Sequence, residues 1–216
     1  VPQESSNFHF IPGQFVTMDL PVSEKRLHRW RSYSIANHPD VTNLLEFCIV
    51  RSQDGLGTKY LFEEIRVGSE LKFKGPDGGF ILPAHLDDEI IMLCTGTGVA
   101  PFRSMMQYLV SNNIPFRKIH LIFGTRTHQD ILYREEFESL QKINPNFKYS
   151  VSLSREKKDG FHHGYIHDIY LNEYKEVKSD RKFYICGWSK MIDEAVANLL
   201  VHLKYDKSQI HYELYC

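Results

Sequence analysis

Cys94-Thr-Gly-Thr-Gly-Val-Ala-Pro-Phe-Arg103 follows an apolar run, Ile90-Ile-Met-Leu93, and precedes an amphipathic stretch, Ser104-Met-Met-Gln-Tyr-Leu-Val110. The order is buried strand, glycine turn, helix. Gly96 and Gly98 let the backbone approach an anion, and the free N–H groups and positive dipole end of the first helical turn bind it. Pro101 suits that turn because its missing N–H has no helical partner there. The stretch reads as a phosphate cradle, and the chain as a binder of a dinucleotide or related phosphate ligand.

Downstream of the cradle, from Asp87, strands alternate with helices. Strands are expected over 90–94, 119–123, 148–153, 183–186 and 210–214, and helices over 100–110, 134–143 and 190–202. That rhythm predicts a doubly wound parallel sheet whose ligands sit at the carboxyl ends of its strands. Upstream, four β-rich segments, 14–20, 32–36, 45–50 and 70–74, are separated by turn formers such as Pro12-Gly13 and Gly75-Pro-Asp-Gly-Gly79. One short helix fits Thr58–Ile65. The expected architecture is an antiparallel β-barrel over 1–84 followed by an α/β nucleotide-binding domain over 85–216, with the joint at 83–88.

Composition narrows the function classes. With 26 basic and 27 acidic residues, net charge gives no reason to expect nucleic acid as a partner. No apolar run approaches the roughly 20 residues of a membrane helix. Cys48, Cys94, Cys186 and Cys216 lie too far apart for a zinc or iron–sulfur loop, and the eleven histidines show no paired ligand spacing, so no metal is expected. The cysteines read as reduced thiols, which gives a cytoplasmic expectation. The chain begins at Val1 rather than Met, so preceding sequence is expected to be missing.

Four motifs occur in order: Arg31-Ser-Tyr-Ser34, the Thr95–Pro101 loop, Tyr184-Ile-Cys-Gly187 and Glu213-Leu-Tyr215. Together they resemble the ferredoxin–NADP(+) reductase family, a flavin-binding barrel followed by a nicotinamide-nucleotide domain. The resemblance covers essentially the whole chain. It departs at the start, where the family has another strand before the segment seen here as Pro12–Phe15; Glu4-Ser-Ser-Asn7 shows no strand pattern.

The resemblance implies a role for each motif. Arg31 would hold the flavin pyrophosphate with its planar fork, Tyr33 would pack along the flavin, and Ser34 would bond near its reactive nitrogen. Gly57 and Thr58, opening the short helix, would make a second pyrophosphate contact, which favours FAD over FMN. Thr95, Gly96, Thr97, Gly98 and Pro101 would receive NADPH, or NADH. The second strand of the α/β half ends Phe123-Gly-Thr-Arg126 without the carboxylate of an ordinary NAD site. Ser154 and Arg155 would instead read a 2′-phosphate, with Tyr165 stacking on the adenine. Cys186, beside Gly187, would lie at the nicotinamide. Glu213 and Tyr215 would act there too, the Tyr as a movable cover, although Cys216 follows it.

The implied activity moves hydride from NADPH to FAD and then single electrons to a ferredoxin- or flavodoxin-like carrier or a fused redox domain. The basic run Lys25-Arg-Leu-His-Arg-Trp-Arg31 is either a solvated loop or a docking patch for an acidic partner. Two alternatives remain. One is the NADH-dependent reductase component of an oxygenase; the other is a non-catalytic nucleotide-binding or redox-sensing subunit.

Overall fold

The computed structural model describes residues 8–40 and 42–214. The chain divides into two compact units, Val1–Ile81 with Ala100–Asn112, and Leu82–Val99 with Asn113–Cys216.

The first unit carries β1 (Phe15–Asp19), β2 (Trp30–Ser34), α1 (Leu56–Glu63), β3 (Lys72–Asp77) and α2 (Ala100–Ser111). The strands form an antiparallel sheet in the order β2-β1-β3. Alternation along them sends Val16, Met18 and Tyr33 to one face, where Leu20, Ile35, Phe47 and Phe73 join the core. The β-rich segment 45–50 contributes only a bridge, Ile35 to Phe47. Asn37 explains this: its side chain accepts the Glu46 N–H at 2.8 Å and donates to the Leu44 carbonyl at 2.9 Å, replacing ladder bonds. Helix α2 is tied to the same segment. Its Ser104 hydroxyl donates to the Asn37 carbonyl at 2.6 Å. Arg103 donates to Ala36 O and pairs with Glu46 at 2.7 Å.

The second unit carries β4 (Glu89–Thr95), β5 (Lys118–Thr125), α3 (Arg134–Ile143), β6 (Phe147–Leu153), β7 (His162–His163), α4 (Ile166–Glu173), β8 (Arg181–Gly187), α5 (Ser189–Ala197) and β9 (Ile210–Leu214). Its six strands run parallel in the order β7-β6-β5-β4-β8-β9. From β4 the chain winds outward through β5, β6 and β7, then returns to place β8 and β9 on the other side. The carboxyl end of β4 is therefore the switch point where such sheets bind ligands. One face buries Ile91, Leu93, Ile122, Phe183 and Ile185 against Ile166 and Tyr170 of α4 and Ile192 of α5. The helix expected to reach residue 202 ends at Ala197 and continues as a wider π-turn, Asn198–His202. Within that turn Asn198 donates to the Tyr170 hydroxyl at 2.9 Å.

The base of this sheet is pinned by polar groups. Arg181, buried, makes two 2.8 Å contacts to Glu89 Oε2. His120 is fully buried, its Nδ1 2.6 Å from the Tyr174 hydroxyl and its Nε2 2.9 Å from Ser150 Oγ. Burial, joined by the charges of Lys148 and Lys118, pushes its pKa down to about 3. The Glu173 carboxylate, 3.7 Å from Nδ1, pulls the other way and is outweighed.

Candidate functional site

In the first unit, the structure brings Arg31 to Gly57, across 26 residues of chain. A Cβ at Gly57 would lie 3.1 Å from Arg31 Cγ, 3.3 Å from its Nε and 3.2 Å from Leu20 Cδ1. The guanidinium stem thus passes directly over the first turn of α1. Gly55 stands at the N-cap position of that turn and supplies no side-chain acceptor, so the helix start is uncapped. Its leading N–H groups have no partner within the helix and remain available to an anion. Thr58 lies one turn in; its hydroxyl accepts from Ser52 N at 3.1 Å and donates to Gly55 O at 3.0 Å, so it braces the entry loop. A guanidinium and an uncapped helix start meeting at a glycine make a donor set that fits a pyrophosphate.

Tyr33 shares the Arg31 face of β2 and packs edge-on against Phe47, ring centroids 6.5 Å apart. Burial pushes its phenol pKa up, and the Arg31 charge partly offsets this. Ser34 is buried at the strand end on the opposite face.

The opposite sheet face is basic and aromatic. Register places Trp30, Asp19 and Lys72 in one row and Ser32, Thr17 and Lys74 in the next. The Trp30 ring has Lys74 Nζ 4.0 Å from its centroid and the Arg26 guanidinium carbon 4.8 Å away. Arg29 pairs with Asp19 at 2.7 Å, while Leu27 is 88% exposed on the short turn between them.

In the second unit, β4 ends at Thr95 and a tight turn, Gly96–Val99, follows. A Cβ at Gly98 would lie 2.3 Å from the Cys186 carbonyl oxygen, so only glycine lets this turn rest on the end of β8. Gly187 has φ +148°, and a Cβ there would lie 2.5 Å from Thr95 Oγ1. The two strand ends interleave through their glycines and leave the threonine and backbone donors at the rim, which fits a dinucleotide diphosphate. Pro101 occupies the opening of α2, as expected.

Cys94, Cys186 and Glu213 lie in register on β4, β8 and β9. Both cysteines are fully buried, and burial together with the Cys186 neighbour pushes the Cys94 thiol well up. The carbonyl of Cys186 borders the Gly98 turn. Tyr215 and Cys216 lie outside the described residues.

At the ends of β5 and β6, Ser154 N donates to Thr125 O at 2.9 Å, and its hydroxyl to the same oxygen at 3.2 Å. Arg155 is exposed, and its N–H donates to Arg126 O at 2.9 Å. The two arginines are thereby neighbours. Glu156 turns its carboxylate inward to accept His128 N at 2.6 Å. Tyr165 is 67% exposed at the start of α4. Arg126 has no counterpart among the motif residues; its basic side chain at the end of that strand is the signal that marks it. The side chains of His162 and His163 diverge, one to Asp168 and one to Glu156 O. Among the described residues no three His, Cys, Asp or Glu side chains converge as a metal site, and no helix is long and apolar enough to cross a membrane.

The antiparallel sheet thus carries one donor set that suits a diphosphate, and the switch point of the parallel sheet carries another. Residues 1–81 match the family described as oxidoreductase FAD-binding domain, and residues 92–197 that described as oxidoreductase NAD-binding domain. The chain belongs to the ferredoxin–NADP(+) reductase family. It is 30% identical over 208 residues to the phenol hydroxylase P5 protein of Acinetobacter pittii, covering 94% of this chain and 57% of that one. It is 28% identical to ferredoxin–NADP reductase B of Sorangium cellulosum over 96% of this chain and 86% of that protein. The fold matches a ferredoxin NADP+ reductase from Neisseria gonorrhoeae with TM-score 0.78 at 22% identity, covering all of this chain and 90% of that one. The chain spans little more than half the length of several oxygenase-linked relatives.

Proposed function

We propose that the chain takes hydride from NADPH onto FAD and delivers electrons singly to a small acidic protein carrier of ferredoxin or flavodoxin type, or to a redox domain attached to it. The observation that carries this reading is the meeting of Arg31 with the uncapped α1 start at Gly57, a pyrophosphate grip that a bare nucleotide sensor does not need. When bound, FAD supplies the exchange between a two-electron donor and one-electron acceptors. Arg31 and the α1 amides hold its diphosphate, Tyr33 packs along its ring, and Ser34 offers a hydroxyl at the strand end. Thr95, Gly96, Thr97 and Gly98 hold the diphosphate of the nicotinamide nucleotide, with Cys186 and Gly187 as the floor and Glu213 alongside. Arg155, with Ser154, selects the 2′-phosphate by paired charge-assisted bonds. The partner docks on Trp30, Arg26, Lys72 and Lys74, whose charge steers an acidic surface toward it. The wide spacing of the four cysteines, read as reduced thiols, supports a cytoplasmic setting.

Anaerobic titration of the purified holoprotein tests the reading. Released FAD and bleaching at lower NADPH than NADH are the expected results. A protein that cannot be loaded with FAD, or whose flavin stays oxidised, sinks it. A second reading, an NADH-dependent oxygenase reductase component, draws on relatives named phenol hydroxylase P5 protein and anthranilate 1,2-dioxygenase electron transfer component. Equal or higher kcat/KM with NADH would favour that reading.

A further inference from the structure

Trp188 has no part in the roles above, yet it stands beside the glycine turn with 69% of its surface exposed. Its backbone is fixed on both sides. The Trp188 N–H donates to Thr95 Oγ1 at 3.5 Å, and its carbonyl accepts from Ile192 N at 3.0 Å in the first turn of α5. Gly187, pressed against Thr95, sets the direction from which the side chain leaves β8. The indole consequently faces the turn. A Cβ at Gly96 would have Trp188 Nε1 as its nearest heavy atom, 3.9 Å away, with otherwise open space around it. An indole is a large apolar plate with a single N–H donor and no acceptor, and tryptophan is ordinarily well buried. Here it is held in water over the mouth of an anion site.

The geometry points to Trp188 as a ligand-contacting residue: its ring packs on the dinucleotide held by Thr95–Gly98, and its Nε1–H donates to that ligand. This rests on the assignment of the turn to a nicotinamide dinucleotide and adds the side chain that covers it. The contact is this chain's means of holding the ligand from the β8 side of the turn.

The test uses FAD-loaded protein and NADP+, which binds without reducing the flavin. The chain has two tryptophans, so Trp30→Phe leaves Trp188 as the sole indole emitter. NADP+ should quench that emission with the dissociation constant given by calorimetry on the same sample. Trp188→Ala should raise the constant roughly tenfold, and Trp188→Phe, which keeps a ring and loses the donor, by about threefold. The flavin spectrum of each variant reports that the exposed substitution leaves the fold intact. Binding heat with unchanged emission, and an unchanged constant in Trp188→Ala, would overturn the contact while leaving the dinucleotide assignment standing. Absence of heat with both NADP+ and NAD+ would overturn the assignment and the contact together.

Discussion

The two arrangements proposed to hold phosphate are both built around a glycine, but the glycines are there for different reasons. At Gly98 the space a side chain would take is filled by backbone: the Cys186 carbonyl oxygen at 2.3 Å, its carbon at 2.6 Å and Gly187 Cα at 2.7 Å. At Gly57 the space is filled by side chains, the flexible Arg31 stem and a Leu20 methyl, all beyond 3 Å. Backbone in a parallel sheet cannot yield without breaking its ladder, whereas an arginine stem can change rotamer. On the proposed assignment, the nucleotide site is therefore set by the sheet, and the flavin site by one adjustable side chain. The first should fail all at once when its glycine is changed, and the second should degrade by steps.

Gly98→Ala carries the largest expected effect. The added methyl must displace the end of β8, so dinucleotide binding is lost and the unit is destabilised by about 2–3 kcal/mol. Calorimetry with NADP+ and thermal unfolding read the two consequences. Unchanged binding would erase the contrast, because it would show that the sheet edge yields as easily as a side chain.

Arg31→Ala comes next. Removing charge-assisted bonds to a diphosphate should weaken FAD binding on the order of a hundredfold, while Arg31→Lys, which keeps the charge and loses the fork, should fall between. Flavin retained on desalting is the measurement. Full retention in Arg31→Ala would move the flavin grip entirely onto the α1 amides.

Acid separates the units by a different route. His120 titrates near 6.5 when unfolded and near 3 when folded, so the unfolded state binds the extra proton between those values. Stability is complete above pH 6.5 and falls as the pH drops toward 3, by about 2 kcal/mol at pH 5. His167 and His211, also lowered by burial, add in the same direction. All three lie in the second unit, so nucleotide binding should weaken before flavin is released. His120→Gln should flatten the loss between pH 7 and pH 5 in unfolding experiments; an unaltered slope would place the acid sensitivity elsewhere.

At the rim of the nucleotide site, Arg155→Ala should raise KM for NADPH about tenfold and leave NADH within about twofold, since only the former carries the 2′-phosphate. Arg126→Ala, beside it, should act in the same sense and more weakly. Equal changes for both nucleotides would remove the 2′-phosphate assignment.

Much of this was legible in the sequence wherever a local pattern determines a local structure. The apolar runs at 90–94, 119–123 and 183–186 became the parallel strands β4, β5 and β8, because a strand buried on both faces needs no polar partner to declare it. The same logic failed at 45–50, where strand-like alternation is real but one side chain, Asn37, takes over the hydrogen bonds a neighbouring strand would make. Helix α4 was not expected. Its apolar positions, Ile166, Ile169 and Tyr170, span barely two turns and follow a stretch read for its charges. Arg31 and the α1 start could each be recognised by motif, but their meeting at Gly57 is a long-range contact that no spacing encodes. Trp188 was invisible for a related reason: its neighbour Gly96 lies 92 residues earlier, in the turn that follows another strand.

Gly57→Ala isolates the adjustable end of the comparison. Two effects oppose each other. Alanine in place of glycine inside α1 favours the helix by roughly 0.5–1 kcal/mol. The new methyl must share space with Arg31 Cγ at 3.1 Å, tighter than ordinary contact, so the stem shifts by a few tenths of an ångström. Because that stem is flexible, the helix gain should win in the apoprotein and its unfolding temperature should hold or rise slightly. The displaced guanidinium should then grip FAD about two- to fivefold more weakly, a loss below about 1 kcal/mol. Stability and flavin affinity would thus move in opposite directions. If Gly57→Ala instead loses both together, as Gly98→Ala is expected to, then Arg31 is as immovable as a backbone carbonyl and the two sites obey one rule.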